Sequence, residues 1–167
     1  MDYSVTNADG VAVYQCKVPV FFGLVNAGFG NLWRWVRGLT VSQTAGEKTE
    51  VFVAKSMYAD FDPANIGEGM RKTCECPQRE GYIIKKSYEG LCCMPTSIGG
   101  SAATYYCDYF WTNAATQTGL RVRAAGGHVA DGTHAGASNS NAHCAASATG
   151  ADCSSPLCFF EEDPQIE

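Results

Sequence analysis

The sequence predicts an α+β domain built from many short strands, long loops and one or two short helices. Strands are indicated by two aromatic-rich runs, 31–39 and 104–111. Long loops are indicated by the glycines and prolines that interrupt the apolar runs. A third observation is the segment 124–155, which consists almost entirely of small and polar residues. It has too little apolar bulk to fold alone, so we expect the fold to carry it as a displayed surface.

Composition indicates one domain with a substantial core, since the chain has 167 residues and a hydrophobic fraction of 46%. The net charge is −5 and the pI is about 5.1, which makes nucleic acid and anionic membranes poor partners. No apolar run approaches the ~20 residues that span a bilayer. No basic and then apolar stretch opens the sequence, so we expect no secretory signal. A cytosolic or virion protein fits these features, and so does a piece of a longer chain.

The first half of the chain predicts a helix beginning near Pro19, or a strand passing into one, because a proline fits the first turn of a helix. Residues 31–39 alternate Trp, Arg and aliphatic residues and predict a strand. Residues 40–49 are a predicted polar loop, and 50–54 a second strand. Asp62 is a predicted N-cap of a short helix, with Pro63 at its first position.

The second half predicts a loop over 74–81, then a strand over 82–88. The densest aromatic run, 104–111, predicts another strand. Residues 119–122 and 156–160 are the core-like strands that flank the small-residue segment. From these runs we expect a core that is complete without residues 124–155. Its expected members are Trp33, Trp35, Tyr106, Phe110, Leu120, Leu157 and Phe159.

Nine cysteines are many for a chain of this length, and the odd number leaves at least one without an intramolecular partner. The spacings Cys74-x-Cys76 and Cys92-Cys93 differ from the two-residue gaps of structural zinc sites. We expect mostly reduced, buried thiols, and one or two disulfides or a metal site remain alternatives.

Catalytic chemistry has few candidates, because all three histidines lie in the small-residue segment. Adjacent residues on an extended chain face opposite sides, so His143 and Cys144 make a poor nucleophile–base pair. A zinc site from His128, His134, His143 and either Cys144 or Cys153 has suitable ligand types but no visible supporting residues. We therefore expect no enzymatic activity, no metal and no cofactor.

Three stretches resemble a known family. The run Gly30-Asn31-Leu32-Trp33-Arg34-Trp35 resembles the Gly-Asn-x-Trp-x-Trp signature of formylglycine-generating-enzyme-like domains, which have a C-type lectin-like fold. Residues 119–121 with Gly126-Gly127 resemble the strand and double glycine that follow in that family. Residues 157–159 resemble its closing strand, where Gly-Phe-Arg is usual. The resemblance implies a domain over 19–160. Composition predicts an arm or the end of another domain over 1–18 and an acidic tail over 161–167.

The small-residue segment resembles the variable region of target proteins of diversity-generating retroelements, here about 120–158. In that family, adenine mutagenesis converts Asn codons into codons for many residues, but never for Lys, Glu, Gln, Met or Trp. Residues 124–155 lack all five. The resemblance implies a ligand-binding protein whose hypervariable surface, about 122–153, recognises a protein or glycan on a target cell. It implies a phage tail or a bacterial cell surface as the location, and often a trimer.

We expect the contact face to run from His128 to Asp152, since short polar side chains on a rigid scaffold make an adaptable surface. Few aromatic or Arg anchors are present, so we expect weak or narrow binding for this variant. The candidate contact residues are Arg123, His128, Ala130, Asp131, Thr133, His134, Ser138, Asn139, Asn141, His143, Cys144, Ser147, Thr149 and Asp152. The alternatives are a non-diversified structural domain of a phage tail or capsid and, less favoured, a metal-dependent enzyme.

Overall fold

The computed structural model describes residues 2–6, 12–17, 20–21, 24–25, 30, 32–56, 62–89 and 92–154. Thirteen strands run through these residues. They are β1 (Asp2–Thr6), β2 (Ala12–Lys17), β3 (Val20–Phe21), β4 (Leu24–Val25), β5 (Trp33–Thr44), β6 (Lys48–Ala54), β7 (Met70–Glu75), β8 (Gly81–Ser87), β9 (Met94–Ile98), β10 (Tyr109–Thr112), β11 (Gly119–Ala125), β12 (Ser140–Ala142) and β13 (Cys153–Ser154).

Nine strands form one sheet, and eight of them follow the order β7-β6-β5-β11-β12-β10-β8-β9. Neighbours are antiparallel except for β10 and β12, which run parallel, and β13 pairs in parallel with the start of β5. The strand β5 has neighbours on both sides, and it bends where Gly38 has a φ of +81°. Glycine suits this position because it reaches positive φ without strain. The register between β5 and β11 shifts beside this bend, as expected of a β-bulge.

The sheet curls until its two end strands, β7 and β9, lie against each other. Its inner face holds one apolar core, and residues from six of the sheet strands contribute to it. The buried members are Leu39, Val41, Val51, Val53, Cys76, Ile83, Cys92, Met94, Phe110 and Ala142. Burying each larger aliphatic or aromatic side chain contributes about 1.5–3 kcal/mol. Within the part of the chain that the structure describes, the closed curl therefore supplies the core without a covering helix.

The expected core residues are buried to different extents. Trp33 and Phe110 are buried, as predicted. Trp35, Tyr106 and Leu120 are half-buried. The predicted closing strand 156–160, with Leu157 and Phe159, lies outside the described residues.

Four predicted strands are confirmed, at 31–39, 50–54, 82–88 and 119–122, although several are longer than predicted. The predicted loop over 40–49 is wrong at its start, because β5 continues to Thr44. Thr40, Val41 and Gln43 are buried there, and the amide of Gln43 donates hydrogen bonds to Thr112 Oγ1 (3.1 Å) and to the Ala142 carbonyl (2.8 Å). Long-range partners thus extend a strand whose local sequence is polar.

The predicted strand over 104–111 is wrong in its first half, since β10 begins only at Tyr109. Tyr105 and Cys107 have φ values of +60° and +59°, a left-handed conformation that a strand cannot hold. A bridge between Ser101 and Thr104 closes the preceding turn. The aromatic density of this run reflects a turn followed by a strand.

The α+β expectation is wrong for the described residues, which are mostly strand with almost no helix. The longest helix among them is the 3₁₀ helix Val129–His134. In place of a helix after Asp62 there is a turn, in which the Asp62 carboxylate accepts the Ala64 N–H at 2.8 Å. Just after Pro19, β3 and β4 pair as a small hairpin, and β1 and β2 form another. No helix in the described part of the chain is long and apolar enough to cross a membrane.

The expectation that the core is complete without residues 124–155 is also wrong. Strand β12 lies inside the sheet, between β11 and β10. Ala124, Asn139, Ser140 and Ala142 are buried. Small side chains at these positions leave room for the inward-facing side chains of the neighbouring strands, so part of the segment is a structural element rather than a displayed loop.

Candidate ligand-binding surface

Backbone hydrogen bonds hold the small-residue segment to itself, to Gly30 and to the sheet. Gly126 accepts the N–H of Gly30 (2.9 Å) and donates to the Asn139 carbonyl (3.2 Å). Further along, the Cys144 carbonyl accepts from Val122 (2.9 Å) and the Asp152 carbonyl from Trp33 (2.8 Å). Gly126 and Gly127 have φ values of +96° and +76°, which direct the chain out of β11. Main-chain hydrogen bonds therefore hold the segment at these points, and the bonds themselves involve no side chain.

The 3₁₀ helix begins with a His128–Asp131 contact. The Asp131 carboxylate accepts the His128 backbone N–H at 2.8 Å, and its other oxygen lies 2.9 Å from His128 Nδ1. The imidazole stacks near Trp33, with ring centroids 6.4 Å apart and planes 28° apart. Both predicted contact residues are therefore tied to the scaffold, and each keeps only part of its surface in solvent.

At the other end of the helix, His134 lies on an aromatic platform formed by Tyr82, Tyr109 and Trp111. Its ring stacks on Tyr109 at 4.3 Å and meets Tyr82 and Trp111 edge-on, both at 5.4 Å. Tyr109 and Trp111 point outward on β10 while Phe110 points into the core, and Tyr82 is the cross-strand partner of Tyr109. The platform is therefore the outer face of β8 and β10, covered by one side chain of the small-residue segment.

Asn139 and Ser138 hold the chain that leaves this helix. The Asn139 amide donates to the His134 carbonyl, and the side chain is 0% exposed. The Ser138 N–H donates to Asp108 at 2.5 Å, and its carbonyl accepts from Lys86 at 3.4 Å. Burial raises the pKa of Asp108, against the opposing effects of the Ser138 N–H and Lys86. Burial likewise lowers the pKa of Lys86.

Arg123 points into the curled sheet rather than toward a ligand. Its side chain is 6% exposed, and its Nη2 donates to Ser140 Oγ at 3.1 Å. Burial lowers the pKa of the guanidinium group. Of the predicted contact residues, Arg123 and Asn139 must therefore be removed as contacts, because their side chains cannot reach a ligand from the interior.

The remaining predicted contact residues fall into two groups. The half-buried ones are His128, Asp131, His134, Ser138, Asn141 and Cys144. The exposed ones are Ala130, Thr133, His143, Ser147, Thr149 and Asp152. The exposed group lies on the 3₁₀ helix and on the loop 143–152, which we call the outer loop. These two stretches are the parts of the segment from which side chains are presented to solvent.

The outer loop borders a groove of about 320 Å³. The walls come from β5, β11 and two alanines of the loop, and the lining residues are Trp35, Val36, Arg37, Pro63, Val122, Ala146 and Ala148. Trp35 was predicted to belong to the core, but it lines this groove. The groove places Trp35 and Arg37 beside the small-residue segment. Trp and Arg are residue types enriched at binding hot spots.

Sequence reasoning missed two residues of this surface, Arg37 and the 50%-exposed Val129. It also missed the residues of the platform that supports the surface: Tyr82, Tyr109 and Trp111. The alternation Tyr109-Phe110-Trp111 did carry a signal, because residues two apart on a strand share a face. The position of Tyr82 beside them depends on strand register, which the sequence does not display. The expectation of few aromatic or Arg anchors is accordingly incomplete.

Histidine and cysteine side chains of the segment are the candidate metal ligands and nucleophile. Within the described ranges, no three His, Cys, Asp or Glu side chains converge as a metal site would require. His128 and His134 lie on different aromatic residues at opposite ends of the 3₁₀ helix. Burial raises the pKa of the Cys144 thiol, which makes the nucleophilic thiolate less populated.

No protein-family model, curated protein or solved structure matches the chain.

Proposed function

We propose that this protein is a ligand-binding display protein with a C-type lectin-like fold, and that its contact surface is the exposed part of residues 128–152 with the adjoining groove. One observation carries the proposal: the main chain of the segment is fixed by hydrogen bonds to the sheet, while many of its side chains point into solvent. Such an arrangement lets side chains change without changing the path of the chain. That property is what a binding surface of variable sequence requires.

Composition supports diversification of this surface by a retroelement. Residues 124–155 contain none of the five residue types that adenine mutagenesis of Asn codons cannot produce. Exposure supports a narrower set of positions at which variation should cost little stability. They are the exposed ones on the 3₁₀ helix and the outer loop, whereas Asn139, Ser140 and Ala142 are buried.

The ligand is a protein or glycan on a target cell, and the protein acts at a phage tail or a bacterial cell surface. Trp35 and Arg37 are the candidate anchors for such a ligand, because both line the groove beside the outer loop. Short polar side chains around them supply adaptable hydrogen bonds. Trimeric assembly would raise a modest single-site affinity through avidity.

A structural domain of a phage tail or capsid is the second candidate, and one observation favours it. Four small or short side chains of the segment, Ala124, Asn139, Ser140 and Ala142, are buried in or beside the sheet. Packing therefore explains part of the small-residue composition without diversification.

A pair of displayed libraries tests the proposal. The first randomises Ala130, Thr133, His143, Ser147, Thr149 and Asp152, which are exposed. The matched control library randomises Ala124, Gln43, Thr112, Asn139, Ser140 and Ala142, which are buried. Folded display is scored by protease resistance, and binders are then selected against unrelated protein and glycan targets.

Most members of the first library and few of the second should resist protease. Target-specific binders should come from the first library alone. Equal loss of folding in both libraries, or folding without any binders, would favour the structural domain. At the level of DNA, an adenine-rich near-copy of the region encoding about 120–158, beside a reverse transcriptase gene, would establish diversification; its absence from an intact locus would count against it.

A further inference from the structure

We propose that Cys74 and Cys92 are a disulfide-forming pair, and that their oxidation closes the curled sheet covalently. Their Sγ atoms lie 3.6 Å apart, although the two residues are 18 positions apart in the chain. Cys74 belongs to β7, and Cys92 stands two residues before the start of β9. β7 and β9 are the two end strands of the sheet, so the cysteine pair lies where the curled sheet closes on itself.

Side chains join these two ends, since β7 and β9 are not neighbours in the hydrogen-bonded order. On the outside, Arg71 Nη1 lies 3.3 Å from Glu89 Oε1. On the inside, the two thiols are in van der Waals contact. A disulfide bond of about 2.0 Å requires the sulfurs to approach by about 1.6 Å from their 3.6 Å separation. The contact between the two end strands therefore holds two thiols close enough to be candidates for a disulfide bond.

Two other cysteines lie nearby and compete for the same partners. Cys76 is buried in the core two residues after Cys74, and its thiol interacts with that of Cys74. Cys93 has a φ of +47°, and its side chain interacts with Lys86 and Arg123 instead. The sulfur–sulfur contact of 3.6 Å favours Cys74 with Cys92, and Cys76 is the competitor that single variants must exclude.

A small disulfide such as oxidised glutathione is a sufficient oxidant. The half-buried Cys74 attacks one of its sulfurs as the thiolate, forms a mixed disulfide and releases one glutathione thiolate. The Cys92 sulfur then attacks Cys74, forms the protein disulfide and releases the second glutathione. Two electrons leave the protein, and the two cysteine protons end on the two glutathione molecules.

The environment of the pair sets the speed of this reaction. A hydrogen bond with Cys76 and burial raise the pKa of Cys74, and a hydrogen bond with Cys74 and burial raise the pKa of Cys92. Because the thiolate is the attacking species, formation should be slow at neutral pH and accelerate as pH rises. Slow exchange fits a structural link better than a rapid sensor.

The link would leave the proposed contact surface unchanged. Strand β12 lies near the middle of the sheet order, and the pair lies at its ends. The disulfide and the binding surface can therefore be tested separately, and failure of one says nothing about the other.

Peptide mapping of the full 167-residue chain tests the proposal. The protein is incubated in oxidised or reduced glutathione, free thiols are alkylated, and the unreduced protein is digested with trypsin. Oxidation should link the peptide 73–79 to the peptide 87–121, and reduction should separate them. Because the link closes a loop of 18 positions, the thermal midpoint should rise by roughly 5–10 °C.

Single variants identify the sulfurs, since each linked peptide contains more than one cysteine. Cys76→Ala and Cys93→Ala are the matched controls and should keep the linked peptide. Cys74→Ala and Cys92→Ala should lose it. Absence of the linked peptide from the oxidised wild-type protein would overturn the proposal without recourse to any variant. Retention in Cys74→Ala with loss in Cys76→Ala would overturn the assignment of the pair.

Discussion

The inner half of the small-residue segment, 128–142, and its outer loop, 143–152, have similar compositions but different surroundings. In the inner half, Asn139, Ser140 and Ala142 are buried, and His134 lies on the aromatic platform. In the outer loop most side chains are exposed, and main-chain hydrogen bonds from Val122 and Trp33 hold its two ends. Small residues therefore serve both packing and display in the inner half, where Ala130 and Thr133 of the 3₁₀ helix are exposed, and mainly display in the outer loop. Composition alone cannot draw this distinction.

Substituting one glycine in each region should give the largest difference in stability between the inner half and the outer loop. An added Cβ at Gly136 would overlap the Asp108 carboxylate, and one at Gly150 would overlap the Asp152 carboxylate. Asp108 is half-buried and accepts the Ser138 N–H, whereas Asp152 is exposed and can turn away. Gly136→Ala should therefore lower the free energy of unfolding by about 2–3 kcal/mol.

The matched variant Gly150→Ala should change it by less than about 1 kcal/mol. Urea unfolding of both proteins measures the difference. Equal losses would show that the two halves are equally constrained.

Asn139→Ala should have the next largest effect. Its amide donates to the His134 carbonyl from a fully buried position, so the variant loses that hydrogen bond and leaves a small cavity. We expect a loss of about 2 kcal/mol. The control is Asn141→Ala, where a half-buried carboxamide accepts the His143 N–H at 2.7 Å and the loss should stay below about 1 kcal/mol. A smaller loss for Asn139→Ala than for Asn141→Ala would contradict the assignment of Asn139 to the interior.

His134→Ala should cost about 1 kcal/mol, because the ring loses its stack on Tyr109 and its edge contacts with Tyr82 and Trp111. Trp111 should also gain exposure, which shifts its fluorescence emission to longer wavelength. His143→Ala is the control, since that side chain is exposed, and it should change neither quantity. An unaltered emission spectrum in His134→Ala would mean that His134 does not cover the platform.

Asp108 should make the free energy of unfolding depend weakly on pH, with a defined sign. Burial raises the pKa of the Asp108 carboxyl above 3.8, the value for the unfolded chain. The folded state therefore binds the carboxyl proton more tightly than the unfolded chain does. The contribution of the group to stability should therefore decline as pH rises through the interval that begins near 3.8 and ends at the folded pKa. Relative to Asp108→Asn, the wild-type free energy of unfolding should fall over this interval. A rise instead would mean that Lys86 and the Ser138 N–H outweigh burial.

The sequence predicted the elements whose pattern is local. Strands at 50–54 and 82–88 followed from runs of aliphatic and aromatic residues, and both exist. Strand β12 could not be predicted, because Ser140-Asn141-Ala142 has no apolar pattern and becomes a strand through its neighbours β10 and β11. The helix after Asp62 was predicted from capping signals alone, and the Asp62 carboxylate instead accepts the Ala64 N–H in a turn.

The candidate site was predictable in location but not in detail. Composition located the segment and its polar character. It could not separate Asn139, which is buried, from Asn141, which is half-buried, because that depends on which residue faces the interior of the curl. Nor could it bring Tyr82 beside Tyr109, since this contact is set by the register of β8 and β10.

The free energy of unfolding of one combined variant tests the central claim most directly. The variant carries Ala130→Ser, Thr133→Ala, His143→Ala, Ser147→Ala, Thr149→Ala and Asp152→Ala, all at exposed positions. If main-chain hydrogen bonds fix the segment and these side chains are only displayed, its free energy of unfolding in urea should lie within about 1 kcal/mol of the wild-type value. A loss of more than about 3 kcal/mol would contradict the claim, because it would make these side chains part of what holds the fold together.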